Sequence, residues 1–205
     1  MITPTELRDF EEEIVSLYKE GKIHHAIHLR MSEDGSYENN LIYALRNIQP
    51  QDYLFGYWDS HALALIKGVP KEELKQSILD GHSIGLIFQN HRLFASGIVG
   101  SLMGTAVGVA WAIKQKELDE KVYIYCGDMN SETGSFYEAI KYADNFKLPI
   151  RFIIGDNDLS VLTPTRAVWG NPEPWFFNTK YMEMIYYFKY KNSLPHSGLS
   201  QKVSF

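Results

Sequence analysis

Apolar residues recur along this chain at two spacings, one suited to a helix face and one to a buried strand. Leu7, Phe10, Ile14 and Leu17 fall on one side of a helix that Gly21 stops. Its start is marked: Thr3 can cap, Pro4 suits the first turn, and Glu6 holds the capping-box position. Ser36 to Ile48 predicts a second helix burying Leu41, Ala44, Leu45 and Ile48, with Pro50 ending it. Pro70-Lys71-Glu72-Glu73-Leu74 opens a shorter helix closed by Gly81. From His82 to Ser96 no period is visible, and the segment reads as a loop over a cleft. Gly100, Gly104 and Gly108 then share one helical face, although each costs up to ~1 kcal/mol against alanine. Such a smooth stripe suits close packing.

The middle of the chain is the most regular part. Val122 to Cys126 is an apolar run ending in Gly127-Asp128, and Phe136, Ile140 and Ala143 line one face of the helix that follows. A second run, Ile150 to Ile154, ends in Gly155-Asp156-Asn157-Asp158. Two short β-rich runs joined by a helix make a βαβ unit with parallel strands. Ligands of such sheets bind beyond the carboxyl ends of the strands, and both acidic turns fall at that edge. A carboxylate and an amide converging there are hard oxygen ligands, suited to Mg²⁺ carrying a phosphate group. After Val161, residues 163–175 read as an irregular loop, Tyr181 to Tyr190 is aromatic with β character, and Pro195 to Gly198 reads as a loop.

Composition adds exclusions. With 205 residues and a net charge of −5, the chain has the size of one domain and the wrong sign for binding nucleic acid by phosphate attraction. No apolar run is long enough for a membrane span, and no signal pattern opens the chain. The single Cys126 excludes an internal disulfide and fits a reducing, cytoplasmic setting. It reads as a small apolar residue of its strand. His24-His25-x-x-His28 invites a metal reading, but no carboxylate or cysteine of matching spacing accompanies it.

The Gly127-Asp128 turn, the helix, the strand and Asn157 together resemble the thiamine-diphosphate motif. Glu138-Ala139 and Lys147-Leu148-Pro149 match the intervening text of one family, the alpha subunits of the decarboxylating component of 2-oxo-acid dehydrogenases. Transketolase is more distantly similar. The resemblance spans roughly residues 24 to 162. It implies an α/β fold, doubly wound, with a mainly parallel sheet covered by helices on both faces. It also implies one diphosphate-type domain over residues 1–205, with an irregular aromatic tail from about 163. Thiamine diphosphate and Mg²⁺ are the implied cofactors. Position by position, Asp128, Asn157 and the Leu159 carbonyl become the metal ligands. Trp58, Gly97, Val99, Gly127 and Met129 become cofactor-binding positions, and His61 the histidine facing the reacting carbon. His82 and His91 are weaker candidates for that role. Asp52 to Phe55 becomes the family's short strand.

Five positions depart from the family pattern, among them Ser96, where the family usually has histidine or asparagine. Asp59 stands where the family has the arginine that grips the diphosphate, Met129 replaces a glycine, Thr133 a glutamate, and Asp156 the first asparagine. Lys67, Arg92 and Arg166 are the cations that could substitute, and Asp59→Arg is expected to tighten cofactor binding about 10-fold. Asp156 or Asp158 can equally be a turn cap facing water.

In the family, a glutamate on a separate pyrimidine-binding domain helps the cofactor ionise, and nothing here resembles that domain. The chain therefore reads as half of an enzyme that decarboxylates a 2-oxo acid or transfers a ketol or acyl group. A beta-type subunit would supply the other half, in a homodimer or heterotetramer. Two other readings stay open: a non-catalytic homologue serving as a scaffold subunit, and an unrelated nucleotide-binding doubly wound fold. The second lacks a glycine-rich phosphate loop after any strand.

Overall fold

The computed structural model describes residues 2–194, so Pro195 to Gly198 lie outside the described residues. Helix α1 (Pro4–Lys19) starts as its sequence requires, with the Thr3 and Glu6 side chains each bonded to the other's backbone. It buries Leu7, Phe10 and Ile14 against the sheet layer. Helix α2 (Ser36–Ala44) stops a turn short of the predicted Ile48. Strand β1 (Tyr53–Tyr57) leads to α3 (Ser60–Ile66) and α4 (Lys71–Leu79). The segment predicted as a loop over the cleft instead supplies two strands, β2 (Ile87–Phe88) and β3 (Leu93–Ser96), around a single 3₁₀ turn. Both are too short to display a period.

Helix α5 (Met103–Gln115) crosses to β4 (Val122–Gly127). A single turn, α6 (Asp128–Ser131), and α7 (Gly134–Asn145) lead to β5 (Ile150–Asp156). The remainder is more ordered than an irregular tail. It contains a small hairpin of β6 (Leu159–Ser160) and β7 (Thr163–Pro164), the short α8 (Thr165–Trp169), and a last strand, β8 (Ile185–Lys189). That strand pairs parallel with β5 from Phe152↔Ile185 to Asp156↔Lys189, as the β character of the tail predicts.

The main sheet has six strands in the order β2-β3-β1-β4-β5-β8, all parallel except β2. Strand side chains alternate between its faces. Tyr123, Tyr125, Ile153 and Phe188 pack toward α1, α2 and α3, whereas Val122, Ile124, Cys126, Phe152 and Ile154 pack toward α5 and α7. Both faces are covered, which gives the doubly wound α/β architecture. The chain runs from β1 outward to β3, then returns past β1 to β4, so strand order reverses between β1 and β4. That reversal opens a crevice at the carboxyl ends of these two strands.

Gly155 in β5 illustrates how tight the interior is. A Cβ there would stand 2.5 Å from the Tyr125 hydroxyl and 3.2 Å from the Phe188 ring. Gly155→Ala should therefore cost about 1–3 kcal/mol, read as a lower urea midpoint, and an unchanged midpoint would contradict this packing.

Gly100 does not join the predicted stripe. It precedes α5, with φ of 81°, and a Cβ would press on Ser135 Oγ at 2.5 Å. Gly104 and Gly108 do lie on α5, and their face is open.

Candidate active site

A cavity of about 270 Å³ occupies the crevice at the strand-order reversal. Strand β1 delivers Tyr57, Trp58 and Asp59 to its wall, and β4 delivers Gly127 and Asp128. Asn157 and Leu159 follow from the end of β5. Trp58 has φ of 61°, a left-handed backbone that is unusual for a bulky residue. Its ring meets His28 edge-on at 5.3 Å.

Asp128 is the first residue of α6 and is 2% exposed. Among the described residues one of its carboxylate oxygens, Oδ2, has no hydrogen-bond partner, and neither has either polar side-chain atom of the buried neighbour Asn130. Burial, reinforced by the charge of Asp156, pushes the Asp128 carboxyl up to about 7. The Thr165 hydroxyl is close enough to favour the charged form without bonding it. The carboxylates of Asp128, Asp156 and Asp158 come within 4.8 Å of one another. Asp156 is buried: it accepts the backbone N–H of Asp158 at 2.8 Å and the Tyr187 hydroxyl at 2.5 Å. Asp158 faces water. Arg166 partly balances this charge, donating to Glu132 at 2.6 Å while standing 3.8 Å from Asp156 and 3.9 Å from Asp158.

On the opposite wall a second charged cluster is buried. Arg30 Nε donates to Asp59 Oδ1 at 2.9 Å, Tyr125 donates to Asp59 Oδ2 at 2.5 Å, and His28 Nε2 stands 3.2 Å from the same carboxylate. Burial alone would raise the Asp59 carboxyl, but Arg30, His28 and Tyr125 outweigh it and hold the group well below the usual range. Arg30 also reaches His28 Nε2 at 2.7 Å. With its amide turned to satisfy both neighbours, Asn157 accepts from Arg30 at 3.2 Å and donates to the Leu159 carbonyl at 3.0 Å. Arg30 therefore links Asp59 to Asn157 across the cavity wall.

The family model described as Dehydrogenase E1 component matches residues 4–171. The chain belongs to this family. A stretch of 67 residues is 37% identical to the pyruvate dehydrogenase E1 component subunit alpha of Staphylococcus aureus (strain Mu50 / ATCC 700699), covering 33% of this chain and 18% of that protein. The corresponding subunit of a Staphylococcus epidermidis strain is 34% identical over the same length. A longer match, 184 residues at 21% identity, joins 82% of this chain to 42% of the chloroplastic subunit alpha-3 of Arabidopsis thaliana. The chain thus spans less than half the length of these curated relatives.

Within this E1 chain, the positions singled out from sequence divide into two groups. Trp58, Val99, Gly127, Asp128, Met129, Asn157 and Leu159 all line the cavity. Met129 Sδ accepts from Trp169 Nε1 at 3.0 Å. Gly97 does not line it: a Cβ there would stand 2.9 Å from Ile84, so packing against that side chain is reason enough for glycine.

His61 must be corrected. It is 1% exposed beneath α1, with Nδ1 3.0 Å from Glu11 and Nε2 2.9 Å from Ser83 Oγ, and it touches no part of the cavity. The start of α3 turns it into the core. Of the proposed substitute cations, Lys67 is engaged elsewhere on the Gln49 and Pro50 carbonyls and Arg92 on the Gln51 carbonyl and Glu120, whereas Arg166 stands at the acidic turns, bonded to Glu132 and 3.8 Å from Asp156.

Arg30 and Asn130 escaped the sequence reading, as did the wall formed by Tyr190, Asn192 and Leu194. The three histidines of the 24–28 segment do not converge, since His25 bonds the Ala26 and Ile78 carbonyls while His28 faces Asp59.

Proposed function

We propose that this chain is the diphosphate-binding half of a thiamine-diphosphate-dependent enzyme acting on a 2-oxo acid or ketose. A beta-type subunit carrying a pyrimidine-binding domain would complete it. Asp128 carries the reading: a buried carboxylate with an unpartnered oxygen, beside an unpartnered Asn130, at the strand-order reversal. Such a group is costly unless it meets a cation. These donors fit Mg²⁺, a hard ion that prefers oxygen. Asp128 would hold it with Asp156 alongside. Asn157 and the Leu159 carbonyl would complete the set by exchanging their mutual hydrogen bond for the ion.

When bound, the cofactor supplies a thiazolium nucleophile and electron sink for the carbonyl carbon of the substrate. The chain's own residues position and shelter it. Arg30 would supply the positive charge toward the diphosphate, in place of the arginine missing at position 59. Trp58, Val99 and Met129 form apolar wall that excludes water, which strengthens the electrostatic interactions inside. His28 takes over from His61 as the imidazole that could hold or pass a proton at the cavity wall. Calorimetric titration with thiamine diphosphate should show binding only when Mg²⁺ is present, and binding that persists in a chelator would overturn the assignment.

The partner is proposed to cover the exposed face of α5. Gly104, Thr105, Gly108 and Ala112 are exposed there, and a Cβ at either glycine would meet nothing within 4 Å among the described residues. Gly104→Leu should raise the stability of the isolated chain by up to ~1 kcal/mol through helix propensity. The same change should block close approach of a partner backbone. Sedimentation should then show a complex for the unaltered chain with its beta-type subunit and none for the variant; an unaffected complex would place the interface elsewhere.

A further inference from the structure

A second cavity, of about 480 Å³, lies at the opposite edge of the sheet from the candidate active site. Val122 and Ile150, the first residues of β4 and β5, lie in its lining, together with the carboxyl end of α2. The register sets Tyr123 beside Arg151 and Ile153 beside Tyr186. Because strand side chains alternate, Tyr123, Arg151 and Tyr186 all leave the sheet on the face that α2 covers.

Three cations meet in this cavity: Arg46, Lys121 and Arg151. Among the described residues none of them pairs with a carboxylate, whereas other cations of the chain do. Asp52 is near enough to act on Tyr123, but both of its oxygens are occupied by backbone N–H groups, of Gln49 and Lys121, each at 2.8 Å. Arg46 lies over the Tyr43 ring at 3.8 Å and donates to the Tyr43 carbonyl, covering the end of α2 that would otherwise repel an anion. Among the described residues Arg151 hydrogen-bonds only the Glu183 carbonyl, at 3.4 Å. A concave excess of positive charge in a chain of net charge −5 focuses anions locally against the overall sign.

The same cavity has an aromatic wall. The Tyr43 and Tyr186 rings lie 5.7 Å apart, and the Tyr186 hydroxyl is anchored on Asn40 at 3.1 Å. Tyr43 is 53% exposed, an open flat surface beside the cations. A bare phosphate would leave this wall uncovered, and an uncharged ring would leave the cations unmatched. The volume suits a small molecule, since pockets of this kind run from about 300 to 1,000 Å³.

We propose that this cavity binds a nucleoside di- or triphosphate, its phosphates on Lys121 and Arg151 and its base against Tyr43 and Tyr186. The test is calorimetric titration of the chain with ADP in the presence of EDTA, which keeps the Mg²⁺-dependent site out of play. ADP should bind with a Kd below about 1 mM. Adenosine and inorganic pyrophosphate should each bind at least about 10-fold more weakly. The double variant Lys121→Gln, Arg151→Gln should weaken ADP by about 10-fold or more. Both side chains are exposed, so its melting temperature should be unchanged, and Asp128→Asn should leave ADP binding intact. Absence of ADP binding at millimolar concentrations would overturn the proposal. So would ADP binding that ignores the double variant but is lost with Asp128→Asn or displaced by thiamine diphosphate, because ADP would then occupy the first cavity. Pyrophosphate binding as tightly as ADP would remove the base-stacking claim and leave an anion site alone. Tighter binding of a polyanion such as heparin, lost in the same double variant, would replace the small-molecule site by a docking face.

Discussion

Asp128→Asn should abolish Mg²⁺-dependent binding of thiamine diphosphate and, in the metal-free protein, raise thermal stability above pH 7. Both effects follow from one buried carboxyl. Its folded pKa is about 7 against an ordinary 3.8, with burial the larger cause and Asp156 the second that raises it. Between those values the folded chain keeps a proton that the unfolded chain releases, so stability falls as pH rises. The contribution is complete below about pH 4 and gone once the folded group has ionised. A shift of about 3 units corresponds to a loss on the order of 4 kcal/mol. Wild type and Asp128→Asn should therefore melt alike near pH 3.5, and the variant should melt higher at pH 8. Added Mg²⁺ should protect only the wild type at pH 8. Identical pH profiles for the two proteins would show that Asp128 is not the strained group. Cofactor binding untouched by the substitution would remove the metal assignment, and absence of cofactor binding by the unaltered chain would favour a non-catalytic, scaffold role.

The second large effect concerns Asp59, and it reverses what the family resemblance implies. Asp59→Arg should not tighten cofactor binding; it should unfold the protein or nearly so. Asp59 is 4% exposed and is held by Arg30, His28 and Tyr125. A second guanidinium there would lie against Arg30 with its counter-charge removed. Arg30→Met, which leaves Asp59 buried and without its cation, should cost about 3–5 kcal/mol in urea denaturation. Combining Arg30→Met with Asp59→Leu should recover most of that loss, because the pair is replaced by apolar groups rather than broken. The double variant should nevertheless bind thiamine diphosphate about 10-fold or more weakly, since Arg30 is the cation proposed to face the diphosphate. A stable Asp59→Arg protein with tighter cofactor binding would show that Asp59 faces the diphosphate after all.

The contrast between Asp128 and Asp59 separates what residue order conveys from what packing adds. Asp128 could be placed from the chain alone because its position is a local matter. An apolar run, a helix with one buried face and a second apolar run make a parallel βαβ unit, and the geometry of that unit puts both acidic turns at one edge. The same local logic located α1 with its capping box and gave β8 its β character. Asp59 could not be judged in this way. Whether a carboxylate repels a phosphate or neutralises a buried arginine depends on what stands beside it, and Arg30 is 29 residues away in sequence. His61 failed for a related reason: its turn matches the family, but α3 is buried on nearly all sides and carries no amphipathic period to show which way the side chain points. The strands in the 82–96 segment are two and four residues long, too short to alternate visibly. Local periodicity therefore identified the central unit and its acidic edge, while the pairing of buried charges and the facing of buried imidazoles waited on contacts between segments distant in the chain.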